Sequence, residues 1–315
     1  MTTTPYHDVP VLVLGASGFI GRWVARALTA QGARLTCAVR DAAGAKSVLA
    51  GYGVQGDLAA VDLASPAAVR ALCERVRPAV TFNLAGYGVD RGEVDQQVAT
   101  RINTDLVGEL AELTQASAAP DWSGLRLVHV GSALEYGSIG GDLDERSAPN
   151  PTTLYGRTKL AGTRLLDGHA GAVAARLFTV YGSGEHEGRL LPSLLAAART
   201  GERLPLSAGT QRRDFTFVED VAEGLLRLGA ATTSGVVNLA TGRLAPVREF
   251  VETAARVLGI SADRLSFGAL PTRPEEMAHE PVTVARLRAA TGWVPATTVA
   301  AGIERTSRFL EARSA

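Results

Sequence analysis

Short apolar runs alternate along the chain with longer Ala- and Leu-rich stretches in helical rhythm. The runs are Val11 to Leu14, Leu35 to Val39, Val80 to Leu84, Leu125 to Val130 and Val173 to Val180. Helical patterns lie between or after them, at Ile20 to Ala30, Pro66 to Val76, Gln96 to Ala116, Thr153 to Leu166 and Leu191 to Thr200. That rotation predicts an α/β fold, a doubly wound parallel sheet covered by helices. Two polar, turn-rich segments, Gly182 to Gly188 and Leu204 to Arg213, flank a helix and read as excursions into a smaller domain. From about Pro246, helical patterns at Val247 to Leu258 and Val282 to Thr291, separated by a proline-rich loop from Pro271 to Pro281, complete it. The expected division is 1–178 with 215–245 for the sheet domain, and 179–214 with 246–315 for a smaller, discontinuous α/β domain.

Composition narrows the classes. The chain has 315 residues, 46% hydrophobic and 20% charged, enough to bury an ordinary core. Its 32 basic residues balance 32 acidic ones, so no net field draws it to nucleic acid or an anionic membrane. Met1 to Pro10 carries neither a basic region nor a long apolar core, and no apolar run reaches the length of a membrane span; a cytoplasmic protein is expected. Two cysteines, Cys37 and Cys73, read as buried hydrophobes rather than a disulfide framework. His7, His129, His169, His186 and His279 lack ligand spacing, so no metal site is expected, and His129 on an apolar strand reads as a core residue.

Gly15, Gly18 and Gly21 follow the first apolar run and open the first helical pattern. A strand feeding a glycine turn and a helix N-terminus aims backbone N–H groups at a pyrophosphate, which predicts a dinucleotide site. The second strand ends Val39, Arg40, Asp41, with valine where a ribose-binding acid is expected. Arg40 suits a 2′-phosphate and the reading leans to NADP(H), with NAD(H) kept open; Asp41 takes the ribose if the register slips by two. Asp62 and Leu63, after the expected third strand, are candidate adenine contacts.

Tyr155 and Lys159 are four apart in a helical pattern and share one face. Only Lys46 and Lys159 among the 32 basic residues are lysines, so an ammonium at 159 points to a specific requirement. A nearby cation eases ionisation of a phenol that then exchanges a proton with a carbonyl oxygen. Ser132 closes the fourth apolar run, where strand C-termini line a ligand crevice.

These residues carry a resemblance. The chain resembles the extended short-chain dehydrogenase/reductase superfamily and, within it, the NAD-dependent epimerase/dehydratase family of nucleotide-sugar enzymes. The marks are Gly15-Ala-Ser-Gly-Phe-Ile-Gly21, Asn83-Leu-Ala-Gly86, Asn103, Ser132 with Tyr136-Gly137, Tyr155-Gly-Arg-Thr-Lys159, Arg176-Leu-Phe-Thr-Val-Tyr-Gly182 and Arg213-Asp-Phe215 with Val218-Glu-Asp-Val221. The resemblance implies a Rossmann-type sheet and a Ser132, Tyr155, Lys159 triad: Tyr155 as acid/base, Lys159 holding the nicotinamide ribose and depressing the tyrosine's pKa, Ser132 bonding the reacting oxygen. It adds Ser17, Phe19, Ile20, Leu84, Ala85, Gly86 and Asn103 to the cofactor wall, and it implies a nucleoside-diphosphate sugar held by Thr179, Arg213 and Arg273. Thr179 stands where the family usually has asparagine.

Relatives that eliminate water or CO2 carry an acid directly after the serine; here Ala133 and Leu134 follow. Glu135 is one place late, expected on the other side of an extended segment, yet still within reach of substrate. Two triad-only reactions survive: reduction of a nucleoside-diphosphate 4-keto-6-deoxyhexose at C4, preferred on Val39 and Arg40, and 4-epimerisation with retained NAD. A non-catalytic cofactor-binding sensor or scaffold is the third reading. The helical stretches 96–116 and 153–166 resemble the pair through which relatives form homodimers.

Overall fold

A computed structural model describes residues 5–88, 92–116, 121–139, 141–271 and 280–314. Arg273 and His279 lie outside the described residues. Strands β1 (Pro10–Leu14), β2 (Arg34–Val39), β3 (Asp57–Ala60), β4 (Val80–Asn83), β5 (Leu127–Ser132), β6 (Ala172–Leu177) and β10 (Gly235–Leu239) form one sheet of seven strands, in the order β10-β6-β5-β4-β1-β2-β3. Every pairing in it is parallel. Alternation along β1 explains the two layers. Val11 and Val13 join a core with helices α1 (Phe19–Ala30) and α8 (Val218–Ala230). Leu12 and Leu14 face the other core, shared with α3 (Pro66–Val76) and α5 (Leu106–Ala116). Cys37 and Cys73 are free thiols, one buried in each core.

The run from Val173 to Val180 is two strands, not one. Its first part is β6 of the large sheet; after Phe178 the chain passes into β7 (Thr179–Tyr181), which pairs with β9 (Arg212–Phe217) and, through it, with β11 (Leu244–Pro246). A further pair, β8 (Leu204–Leu206) and β12 (Leu265–Phe267), lies near α7 (Leu190–Thr200) and α9 (Val247–Leu258) in the chain. The remaining helices are α2 (Ala42–Ala50), α4 (Gln96–Thr100), α6 (Leu154–Arg164), α10 (Ala285–Thr291) and α11 (Val299–Ser314). Among the described residues, no helix is long and apolar enough to cross a membrane.

The stretch 96–116, expected as one helix, is interrupted by a π-helical turn over Arg101–Asp105. The wider turn has a local cause. Asn103 is fully buried there, its Oδ1 accepting the Tyr87 N–H (3.0 Å) and its Nδ2 donating to Tyr87 O (2.7 Å) and Thr158 Oγ1 (3.0 Å). Such π turns inside α-helices cluster at functional sites.

Candidate active site

Register places the glycine turn. Leu14 is opposite Ala38, and Leu84 N donates to Leu14 O at 3.1 Å, so the loops leaving β1, β2 and β4 share one carboxyl edge. This is where the strand order reverses, the place ligands occupy in open parallel sheets. Gly15 has φ +74°, and a Cβ on it would lie 3.0 Å from Ala85 N; only glycine suits both constraints. At Gly21 a Cβ would collide with Gly15 O, so a side chain there pushes α1 off the turn. Gly18 caps α1 with no side-chain hydrogen bond, and the first turn of the helix holds no acid. The free N–H groups and the helix dipole thus fit a pyrophosphate. Arg22, not anticipated from the sequence, pins the turn by donating to Ser17 O (2.9 Å) and Gly18 O (3.0 Å).

The other residues expected to line a cofactor fall on the same edge. Ser17, Phe19, Ile20, Leu63 and Leu84 are half-buried; Arg40, Asp62 and Gly86 are exposed. Val39 is buried, and Asp41 spends Oδ1 on capping α2 through Ala43 N (3.0 Å). Asn103 differs from the expectation. Its amide is consumed by Tyr87 and Thr158, so it shapes the loop after Gly86 from behind and has no face left for a cofactor.

Helix α6 begins where Thr153 Oγ1 accepts Gly156 N (3.0 Å), which sets Tyr155 in its first turn and Lys159 one turn on. Gly156 and Gly162 let it sink: a Cβ on the first would strike Leu134 O, on the second Asn103 O. The first of these contacts presses Tyr155's turn against the segment after Ser132. Lys159 is consequently 1% exposed, its Nζ donating to Val130 O (3.0 Å) and Ala85 O (3.3 Å) and lying 5.9 Å from the Tyr155 ring centre. Burial lowers Lys159 to about 8, with Glu135 opposing. The half-buried Tyr155 phenol is raised above its ordinary value, mainly by burial and then by Glu135, with Arg189 pulling the other way. The implied depression of the phenol is not seen in the protein alone, where burial, Glu135 and Glu93 outweigh Arg189.

Glu135 corrects the sequence expectation. The segment after Ser132 is a 3-10 turn, not extended, and it folds Glu135 back into the interior at 0% exposure. There the carboxylate accepts from Ser132 N (2.8 Å), Thr163 Oγ1 (3.2 Å) and Arg176 Nε (2.8 Å). It has no surface to offer a sugar. Removing one member of a buried ion pair of this kind costs about 3–5 kcal/mol. Ser132 is half-buried at the end of β5, its Oγ accepting Leu134 N (3.2 Å). Thr179 opens β7 opposite Phe215, and Arg213 on β9 is half-buried, donating to Arg212 O (3.1 Å).

Several known proteins are similar to this chain in sequence or in fold. The chain is 32% identical, over 94% of both chains, to the dTDP-6-deoxy-L-talose 4-dehydrogenase (NAD(P)(+)) of Kitasatospora kifunensis. It is 29% identical to the dTDP-4-dehydrorhamnose reductase of Streptomyces griseus, over 74% of this chain and 69% of that one. Among solved structures, MoeE5 in complex with UDP-glucose and NAD matches with a TM-score of 0.79 at 26% identity, covering 97% of this chain and 99% of that one. Residues 11–240, from the first strand through the large sheet to its last, match the family model, and the chain belongs to the NAD dependent epimerase/dehydratase family.

Proposed function

We propose that the protein is an NAD(P)-dependent reductase of a nucleoside-diphosphate 4-keto-6-deoxyhexose, in which hydride reaches C4 and Tyr155 protonates the resulting oxygen. The observation that carries this reading is the crevice's inventory of acids and bases. Ala133 and Leu134 follow Ser132, and Glu135 is sealed inside, so the turn after Ser132 offers no carboxylate for elimination or decarboxylation. Beside that turn stands the Tyr155 phenol, whose raised pKa keeps it protonated at neutral pH, the form that donates to a ketone oxygen. Lys159 supports the phenol as a buried cation, and Ser132 holds the oxygen that accepts the proton. The nicotinamide supplies the hydride. Thr179, Arg213 and Arg273 are the proposed contacts to the sugar diphosphate.

The relative with 32% identity bears a name that places oxidation and reduction at C4 of a dTDP-6-deoxy sugar, in agreement with this choice. A scaffold without turnover would gain nothing from a lysine sealed in the interior. The 4-epimerase reading draws on the neighbour solved with UDP-glucose and NAD, since the same three residues serve a closed redox cycle. Mass spectrometry of small molecules released from freshly purified protein separates the two. Retained NAD would favour the epimerase; an empty site that binds NADPH more tightly than NADH, or retained NADP, supports the reductase.

For the cofactor we propose NADP(H). Val39 is buried where the ribose acid would sit, Asp41 is engaged as a cap, and Arg40 stands exposed on the cofactor edge. Arg40→Ala is expected to weaken NADPH binding by about 10- to 100-fold, the value of a charge-assisted contact, with little effect on NADH. Titration calorimetry with both nucleotides checks this; equal losses would remove Arg40 from the 2′-phosphate.

The proposed homodimer uses the 96–116 stretch and α6. Val98 and Leu165 are 38% and 44% exposed there, and Leu165 covers Gly108. Light scattering is expected to give twice the 32.8 kDa chain mass, with Leu165→Glu returning it to monomer. A wild-type monomer at micromolar concentration would contradict the dimer.

A further inference from the structure

Below the Lys159 ammonium, three polar groups fix one another's orientation. Asn83 ends β4 directly opposite His129 of β5, and both side chains are fully buried. The backbone N–H of Ala85 can only donate, and it meets Asn83 Oδ1 at 3.3 Å, closing a turn at the strand end. That turns Asn83 Nδ2, also a donor, toward His129 Nδ1 at 3.2 Å. His129 Nδ1 therefore carries the lone pair, and the ring proton sits on Nε2. Burial, and then the Lys159 charge, hold the imidazole well below its ordinary pKa and so in this neutral, accepting form.

Nε2 has no hydrogen-bond partner among the described residues, so the contact to Asn83 is the ring's one polar tie there. Burying a polar ring costs free energy, and a purely apolar side chain would fill the space without that cost. What the tie joins explains the choice. Lys159 Nζ donates to Ala85 O (3.3 Å), in the turn that Asn83 closes, and to Val130 O (3.0 Å), the residue after His129. The two carbonyls that seat the ammonium thus come from the two strands that the pair joins. Gly86 completes the seat, since a Cβ on it would stand 3.5 Å from Nζ.

Resting on the reading of Lys159 as the lysine that supports Tyr155, we propose that His129 is a positioning residue: through Asn83 it sets the spacing of the Ala85 and Val130 carbonyls and so holds the Lys159 ammonium in place beside the phenol. It acts by geometry and brings no charge.

Two variants separate this role from packing. In His129→Asn the new Oδ1 is bonded to Cγ, as Nδ1 is, and accepts from Asn83; in His129→Gln the acceptor lies one bond further out, while the side chain fills more of the ring's space. Lys46 and Lys159 are the only lysines, so ligand-free protein labelled with 13C at lysine Cε gives two NMR signals, with exposed Lys46 as reference. In wild type the two Cε protons of Lys159 are expected to resonate apart, as in a side chain held in one seat, and those of Lys46 to coincide. The separation should persist in His129→Asn and collapse in His129→Gln; a packing role predicts the reverse. Lys159 protons that coincide in wild type or in His129→Asn, or that stay apart in His129→Gln, would overturn the proposal. A second measurement needs no variant to fold. In wild-type protein labelled with 15N at histidine, the ring N–H that exchanges slowest with water belongs to buried His129, and a long-range 1H–15N spectrum is expected to place it on Nε2. A proton on Nδ1 would equally overturn the proposal. Neither spectrum uses substrate, so failure here leaves the reductase reading standing. Conversely, wild-type protein that reduces no 4-keto sugar would refute that reading and leave the spectra intact.

Discussion

Tyr155→Phe is expected to lower turnover by about 100- to 10,000-fold, the range for removing a positioned acid. The ring packs against Gly88 and lies beside Lys159, and phenylalanine keeps those contacts, so thermal stability and NADPH affinity should hold. Steady-state oxidation of NADPH with a nucleoside-diphosphate 4-keto-6-deoxyhexose, alongside a melting curve, checks both halves. Turnover within tenfold of wild type would remove Tyr155 from the chemistry. The pH dependence follows from the same groups. In the reductive direction the phenol must be protonated, and its raised pKa keeps it so well above neutrality. Lys159, at about 8, is the group that changes first, so activity should be full below that pH and fall as the ammonium is lost above it.

Gly21→Val should abolish dinucleotide binding. The added side chain meets Gly15 O and the Ala16 backbone, which are not the ends of flexible side chains, so α1 must move away from the turn it helps to form. The displaced helix N-terminus no longer aims its N–H groups at the phosphates. Calorimetric titration of NADPH and NADH is expected to show no binding to a chain whose circular dichroism still reports its helices. Wild-type affinity in that variant would mean that the cofactor lies elsewhere.

The parallel sheet was legible because strands buried on both faces announce themselves as unbroken apolar runs, and β1, β2 and β4 fall within a residue or so of those runs. The glycine turn was legible because glycine is required by backbone geometry that a sequence displays directly. The passage from β6 to β7 was hidden, since the apolar character continues across Phe178 while the chain changes sheets. Glu135 was misread for a related reason. Whether its segment is extended or turned depends on the capping pattern of Ser132 and on a partner 41 residues away. One signal could have found it: Arg176 lies inside the apolar run 173–180, and an arginine there demands a buried carboxylate. Asn103 likewise belongs to the cofactor wall by position, but its hydrogen bonds turn inward through a π turn that helical periodicity does not predict.

The central claim is net hydride transfer to C4 of a keto-sugar, and deuterium reports it most directly. The protein would be incubated with a nucleoside-diphosphate 4-keto-6-deoxyhexose and NADPH deuterated at the transferring position of the nicotinamide, and the product examined by NMR. Deuterium at C4 of the deoxysugar, with one NADPH consumed per product, is the expected result. Interconversion of two C4 epimers of a saturated nucleotide sugar, with no net consumption of NADPH and no deuterium incorporated, would contradict it.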